Sequence, residues 1–311
     1  MSAPTTLVVG GGGFLGTAVR TTLAQRGHDV VVPSVPWSEP EAAGAVLRAA
    51  LHEVQSAPGR WNLVWCAGTG VVATDESAFV AESVVLDGAF GDADAPVTPG
   101  TAFFASSAGA VFAGSTAPPF DESTEPNPLA PYGRSRLLAE ERFAAWATAT
   151  GTRLLVGRIA NLYGPGANLR KRQGLVSQLA LAHLEGRPSS IYVPFETTRD
   201  YLYIDDAAAM VADGLDAVAA AAPGSTTTKI FASQVGHTIT EVVDAVTAAL
   251  GEPLDVRAGH DPSSTFHGTD LRFRSTVLTG IDDRTLVPFD EGVRRTVDAV
   301  RTNHHTATGA P

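Results

Sequence analysis

"TTLVVGGGGFLG" (residues 5–16) passes from β-branched and aliphatic residues into four consecutive glycines and then straight into a helical repeat. The repeat, "FLGTAVRTTLAQRG" (14–27), sets Leu15, Ala18, Val19, Leu23 and Ala24 at helical spacing and stops at Gly27. "HDVVVP" (28–33) follows as a second buried strand. The unit is therefore strand, glycine turn, helix, strand. Within it Gly10, Gly13 and Gly16 form G-x-x-G-x-x-G. That spacing allows a tight turn, close approach of backbone to a pyrophosphate, and close helix–sheet contact. The helix N-terminus adds amide donors for the anion. The bare pattern says little in a chain with 31 glycines among 311 residues. Its position at the first strand-to-helix junction gives it weight, and it predicts dinucleotide binding.

The same alternation continues outward. "EPEAAGAVLRAALHEVQS" (39–56) reads as a helix and "WNLVWCAG" (61–68) as a strand. "TAFFASSAG" (101–109) and "TRLLVGRIANLYG" (152–164) are further strands, with a helix headed by "YGRSR" (132–136) between them. Strands separated by helices predict an α/β, Rossmann-type, doubly wound parallel sheet. Beyond residue 160 the pattern is more mixed, with helices near 172–186, 205–222 and 238–250 and no internal repeat. The division expected is 1–160 for the dinucleotide-binding domain, with a return segment near 200–235. Residues 161–311 form mainly a smaller C-terminal substrate-binding lobe, closing over the carboxyl ends of the strands. The polar tail "RTNHHTATGAP" (301–311) is expected to fray, its two histidines a loose end rather than a metal site.

Composition narrows the function. The chain is 44% hydrophobic and 18% charged, ordinary for a soluble globular protein. No apolar run reaches the roughly 18–20 residues of a membrane span, and "MSAPTTLVVGG" shows no basic leader. A net charge of −11 disfavours nucleic acid, whose binding depends on neutralising phosphates. With Lys171 and Lys229 the only lysines, arginines must hold any anionic ligand. Cys66, the single cysteine, cannot form an internal disulfide or a thiolate metal cluster. A cytoplasmic, reducing setting without a resident metal is expected.

The second strand ends Val32-Pro33-Ser34, with neither the acid that would hold the ribose hydroxyls of NAD nor an arginine for a 2′-phosphate. Ser34 accommodates either form, so NAD and NADP both stay open.

Several stretches together resemble the extended short-chain dehydrogenase/reductase family, the NAD-dependent epimerases and dehydratases that include nucleotide-sugar epimerases and ketoreductases. The glycine loop with Phe14 is similar to that family's T-G-x-x-G-F-x-G, with Val9 in place of the threonine. "CAG" (66–68) matches its cofactor-lining strand end. "FFASSAGAVFAG" (103–114) resembles S-S-x-x-x-V-Y-G, with Phe112 for the tyrosine. "PFDESTEPNPLAPYGRSRLLAEE" (119–141) resembles the P-x-x-E…P…Y-G-x-S-K helix start, and "RIANLYGPG" (158–166) and "RDYLYIDDAAAM" (199–210) match two further blocks. The likeness covers most of residues 5–210 and fades after 240, where "PFDEGVRRT" (288–296) is the best echo.

The resemblance makes Tyr132 the catalytic tyrosine and Arg136, one helical turn on, the cation that the family supplies as lysine. Moving hydride to or from a sugar carbon needs a matched proton transfer at the attached oxygen. A free phenol titrates near pH 10, and a nearby cation lowers that value. Arginine supplies the charge, but its planar fork is not interchangeable with an ammonium. Ser107, 25 residues before Tyr132, is expected to hold the substrate oxygen, with Ser106 as the fallback. The implied cofactor residues are Gly10, Gly13, Phe14, Leu15, Gly16, Ser34, Ala67, Gly68, Tyr132, Arg136 and Ile159. Asn161 would contact the nucleotide diphosphate of a nucleotide-sugar substrate. Arg199 would pair with its phosphate, unless it only pairs with Asp200, Asp205 or Asp206. A second phosphate arginine of the family aligns loosely with His267. The basic loop "NLRKR" (168–172) reads as a solvated face more readily than as a clamp.

Ala108-Gly109 replaces the acidic pair of the 4,6-dehydratases, and Cys66 and the two lysines fall outside the positions of an extra epimerase base. Reduction of a keto sugar and 4-epimerisation both remain, because each needs only the Ser–Tyr–cation set. The alternative is a dinucleotide-binding sensor or scaffold that is slow or inert. A homodimer through the Tyr132 helix is also implied, with Leu137, Leu138 and Trp146 as apolar contacts.

Overall fold

The computed structural model describes residues 3–68, 76–91, 98–171 and 174–308. Along the chain, β1 (Thr5–Val9), α1 (Phe14–Gln25), β2 (Asp29–Val31), α2 (Pro40–Ser56) and β3 (Trp61–Trp65) come first. Then follow α3 (Glu76–Phe90), β4 (Thr101–Ser107), the one-turn α4 (Ala108–Val111), α5 (Pro131–Thr150), β5 (Arg153–Ile159) and β6 (Asn161–Tyr163). The remainder is α6 (Leu175–Leu184), β7 (Ser189–Ile191), β8 (Thr198–Tyr203), α7 (Ile204–Val218) and β9 (Thr226–Phe231). It closes with β10 (Gly236–Thr238), α8 (Ile239–Leu250), β11 (Val256–Ala258), β12 (Asp270–Leu271) and α9 (Phe289–Thr308).

Six parallel strands in the order β2-β1-β3-β4-β5-β9 make the central sheet of this α/β, Rossmann-like protein. Strand alternation explains its two packed faces. Register aligns Val8, Val64, Phe103 and Leu155 across four strands, and these side chains meet Leu15, Val19 and Leu23 of α1 with residues of α7. One position back, Leu7, Leu63, Ala102 and Leu154 align toward the opposite face and meet α2, α3 and α5. Burying each large aliphatic or aromatic side chain there contributes about 1.5–3 kcal/mol. The near-continuous apolar runs of β1, β3, β4 and β5 follow from burial on both faces.

Four readings are corrected. β2 is a half-exposed edge strand three residues long, since it lies at the end of the sheet and touches only β1. The run 152–164 is two strands: β5 stays in the central sheet, whereas β6 leaves it to pair with β8. The helix Glu76–Phe90 had no counterpart in the sequence reading. The tail is helical to Thr308, because Val293, Val297 and Val300 stack on one face of α9 and are buried. No helix among the described residues is long and apolar enough to cross a membrane.

Candidate functional site

The glycine turn sits where β1 hands over to α1. Gly10 adopts φ +80°, the left-handed region that favours glycine. A Cβ on it would stand 2.6 Å from the Ala67 nitrogen, and one on Gly16 would overlap the Gly10 carbonyl oxygen. The Gly13 amide donates to that same carbonyl at 2.9 Å, and Gly12 opens onto free space. The Cys66 amide donates to the Val9 carbonyl at 2.9 Å, which draws Ala67 and Gly68 alongside the turn. Leu15 is buried beneath α1, so it offers a ligand its backbone amide, as does Phe14 at the first helical position. Ser34 is exposed three residues beyond β2, and the side chain closest to a Cβ on Gly11 belongs to Val32.

The first turn of α5 is pressed onto α4. Pro131 occupies its first position, suited to a residue without an amide proton. Gly133 permits the approach, because a Cβ there would overlap the Ala110 carbonyl and stand 2.6 Å from Pro128 Cβ. This docking carries Tyr132 to the end of β4. There Ser107 caps α4, its Oγ accepting from the Ala110 amide at 3.3 Å, and its hydroxyl favours ionisation of the Tyr132 phenol. Phe79 of α3 stacks on the Tyr132 ring at 6.1 Å. The Arg136 guanidinium lies 5.5 Å from the Tyr132 ring centroid and 5.7 Å from that of Phe104. Arg136 is only 2% exposed.

Glu82, on the helix absent from the sequence reading, is ion-paired with Arg136 Nη2. The contact lacks aligned hydrogen bonds: Arg136 Nε and Nη2 and both Glu82 carboxylate oxygens are buried without a hydrogen-bond partner. The phenol is accordingly not acidified. Burial pushes Tyr132 above its ordinary value, Arg136 opposes that, Glu82 adds to it, and the Ser107 hydroxyl opposes it. The sequence supplied the cation but neither the burial nor the carboxylate. The nearest signal for Glu82 was its place as a lone charge among "AFVAESVVL" (78–86).

Ser106 faces away from Tyr132, and its Oγ donates to Glu140 Oε1 at 2.5 Å. Register places Ile159 beside Ser107 on one side and Phe231 on the other. Asn161 is exposed on β6, its Oδ1 4.0 Å from where a Gly109 Cβ would stand. Arg199 is buried on β8, and its Nη1 donates to the Thr198 carbonyl at 2.8 Å. Two of the three expected carboxylate partners are engaged elsewhere: Asp200 accepts from the Ser233 amide and hydroxyl, and Asp206 accepts from the Val287 amide. Burial lowers the His267 imidazole below its ordinary value, the charge of Arg199 adds to that and Asp261 opposes it. Burial pushes the Cys66 thiol up to about 12, leaving it unsuited to act as a base. Arg172 of the basic loop lies outside the described residues. No cluster of metal-ligating side chains occurs among the described residues.

These features fit a nicotinamide dinucleotide. The glycine turn is a cradle that a Cβ on Gly10 or Gly16 would fill, Gly12 leaves open space beside it, and the buried guanidinium beside Gly68 retains donors.

The profile of the NAD dependent epimerase/dehydratase family matches residues 6–227. A dTDP-L-rhamnose 4-epimerase from Burkholderia thailandensis is 32% identical over 133 residues, 42% of this chain and 36% of that protein. A dTDP-glucose 4,6-dehydratase from Mycobacterium tuberculosis is 26% identical over 195 residues, 59% of this chain and 54% of that protein. The matches thus span about a third to a half of the length of these relatives. Among solved structures, a Thermus thermophilus UDP-glucose 4-epimerase complexed with NAD has a TM-score of 0.77 at 23% identity, over 96% of this chain and 99% of that one. A Bifidobacterium longum UDP-glucose 4-epimerase in complex with NAD+ and UDP has a TM-score of 0.79 at 17% identity, with coverage of 96% and 99%. At these identities the likeness is one of fold.

Proposed function

The chain belongs to the NAD dependent epimerase/dehydratase family, and on that premise we propose that it acts on a nucleotide-activated sugar, as an NAD(P)-dependent 4-ketoreductase or 4-epimerase. The observation that carries this reading is the meeting of Ser107, Tyr132 and Arg136 beside the Ala67-Gly68 strand end and the glycine turn. Gly10, Gly13, Gly16 and the first amides of α1 hold the pyrophosphate, and Gly68, Arg136 and Ile159 line the nicotinamide end. The bound dinucleotide supplies or accepts hydride at a sugar carbon. Tyr132 gives a proton to the oxygen on that carbon, or takes one from it, while Ser107 orients the oxygen. Arg199 and Asn161 hold the diphosphate.

Two observations support leaving dehydration and base-driven epimerisation aside. Ala108 and Gly109 open α4 with no carboxylate, and the Cys66 thiol is held protonated by burial. Self-association through the α3–α5 face belongs to the same proposal. Leu138 and Val80 are 51% and 63% exposed there, whereas Trp146 is core, stacked on Phe90 at 4.8 Å.

Tyr132→Phe is expected to lower turnover about 10²–10⁴-fold while dinucleotide affinity stays near wild type; a fully active variant overturns the site. A wild type that binds dinucleotide yet turns over no activated sugar, even as Arg136→Lys, sinks the catalytic reading in favour of a sensor. Cofactor stoichiometry separates the two reactions. A reductase consumes one dinucleotide per product, and an epimerase retains it.

A further inference from the structure

The cation beside the phenol is itself covered by an anion. α3 packs along α5, and Glu82 reaches across to Arg136 with side chains 12% and 3% exposed. Moving a charge pair out of water is costly unless the partners meet closely, so neither side chain can leave without stranding the other. The pair also abuts the strand end that lines the nicotinamide side: a Cβ on Gly68 would stand 3.4 Å from Arg136 Nη1 and 3.8 Å from Glu82 Oε1. Among the described residues, the groups that set the field at the phenol are Arg136 from its own helix, Glu82 from α3, and the Ser107 hydroxyl from β4.

We propose that Glu82 is a positioning residue of this site, holding the Arg136 guanidinium against the Tyr132 ring and offsetting its field there, so that Glu82 and Arg136 act as one neutral unit. The proposal rests on the reading of Tyr132 as the proton-exchanging group and deepens it. Burial pushes the phenol up, and a cation offset by Glu82 opposes that less than a bare one would, so the phenol stays protonated at neutral pH. In that state Tyr132 is ready to donate to a sugar ketone and poorly prepared to deprotonate a sugar alcohol. The site is thereby biased toward reduction. The sequence pair Tyr132–Arg136, taken alone, implies the opposite bias.

The test is the ionisation of Tyr132 in the protein without added ligand, read as an ultraviolet difference titration of each variant against the same variant carrying Tyr132→Phe. Glu82→Gln keeps the shape of the side chain and removes its charge. It should lower the Tyr132 midpoint by about one to two pH units, the range expected when an opposite charge is uncovered nearby. Arg136→Gln should raise it, and Glu82→Gln with Arg136→Gln should return it close to wild type. In the alcohol-oxidising direction, where phenolate is required, Glu82→Gln should move the alkaline-activated limb of the pH profile down by the same amount. An unchanged midpoint in Glu82→Gln, with only a lowered Tm, would mark Glu82 as merely structural and overturn the proposal. If Glu82→Gln fails to fold, the double variant decides: a midpoint displaced as far as in Arg136→Gln alone refutes the neutral unit. Because the titration needs no turnover, it separates failure of this proposal from failure of the catalytic reading, which Tyr132→Phe activity tests.

Discussion

Helix α5 carries Arg136 on one turn and Glu140 on the next, and each meets an opposite charge from another element. Glu140 meets Arg158 of β5, and Arg136 meets Glu82 of α3. The first pair is fully bonded. Arg158 donates from Nη2 to Oε2 at 2.8 Å and from Nε to Oε1 at 3.2 Å, Ser106 donates to Oε1 at 2.5 Å, and the guanidinium lies 5.3 Å from the Phe112 ring centroid. The second pair is close but leaves buried donors on the arginine and buried oxygens on the glutamate unbonded. A buried pair that satisfies its hydrogen bonds internally is a structural fastening, since those bonds offset the desolvation of both ions. A buried pair with donors to spare, next to a tyrosine and a serine at the mouth of a glycine cradle, is set up to serve something else. Neighbouring turns of one helix thus divide scaffold from site.

The largest effect expected from breaking this comparison is at Glu140. Glu140→Ala strands the Arg158 guanidinium against Phe112 and removes the acceptor of Ser106. Stability should fall by about 3–5 kcal/mol, the cost of taking one partner from a buried pair. Chemical denaturation measures it, and a loss below about 1 kcal/mol would mean that water reaches Arg158 and that the pair is no fastening.

The two adjacent serines sharpen the same division at a smaller scale. Ser106→Ala removes a hydrogen bond to a buried carboxylate and should cost about 1.5–3 kcal/mol. Ser107→Ala removes a cap from the one-turn α4 and should cost about 1 kcal/mol. Turnover should rank them the other way, with Ser107→Ala losing about a hundredfold or more and Ser106→Ala retaining most activity at temperatures where it is folded. If both variants lose stability and activity in the same proportion, the assignment of one serine to scaffold and the other to substrate is wrong.

How much of this was legible in the sequence depended on the range of the signal. The glycine turn, the four inner strands and the spacing of Tyr132 to Arg136 are local patterns, readable because the backbone constraint and the residues that answer it are adjacent. Ser106 and Ser107 could be told apart only in part, since alternation on a strand says that they face opposite ways but not which way is the site. Glu82 was out of reach: its meaning lies in Arg136, 54 positions later, and its helix is apolar on several faces and so lacks a single stripe. The α9 extension was readable, as Val293, Val297 and Val300 keep helical spacing, but the polar residues after them masked it. β6 was merged with β5 because a break at Ala160 leaves no mark when both neighbours are strand-like.

A third pair on the α3–α5 seam sets the lower end of the scale. Arg142 donates from Nε to Asp87 Oδ1 at 2.9 Å, with side chains 34% and 63% exposed. It joins the same two helices as Glu82 and Arg136, and differs from them in having a hydrogen bond and in its access to water. Solvent screens its attraction, so Asp87→Asn should cost about 0.2–1 kcal/mol. The cost should fade in 1 M salt, where charges are screened within about 3 Å. Measured beside Glu82→Gln by denaturation at low and high salt, the two variants should separate: the buried site keeps its effect and the exposed one loses it. Equal salt sensitivity would show that water reaches both pairs alike, and the contrast between the interior and the rim of this seam would no longer hold.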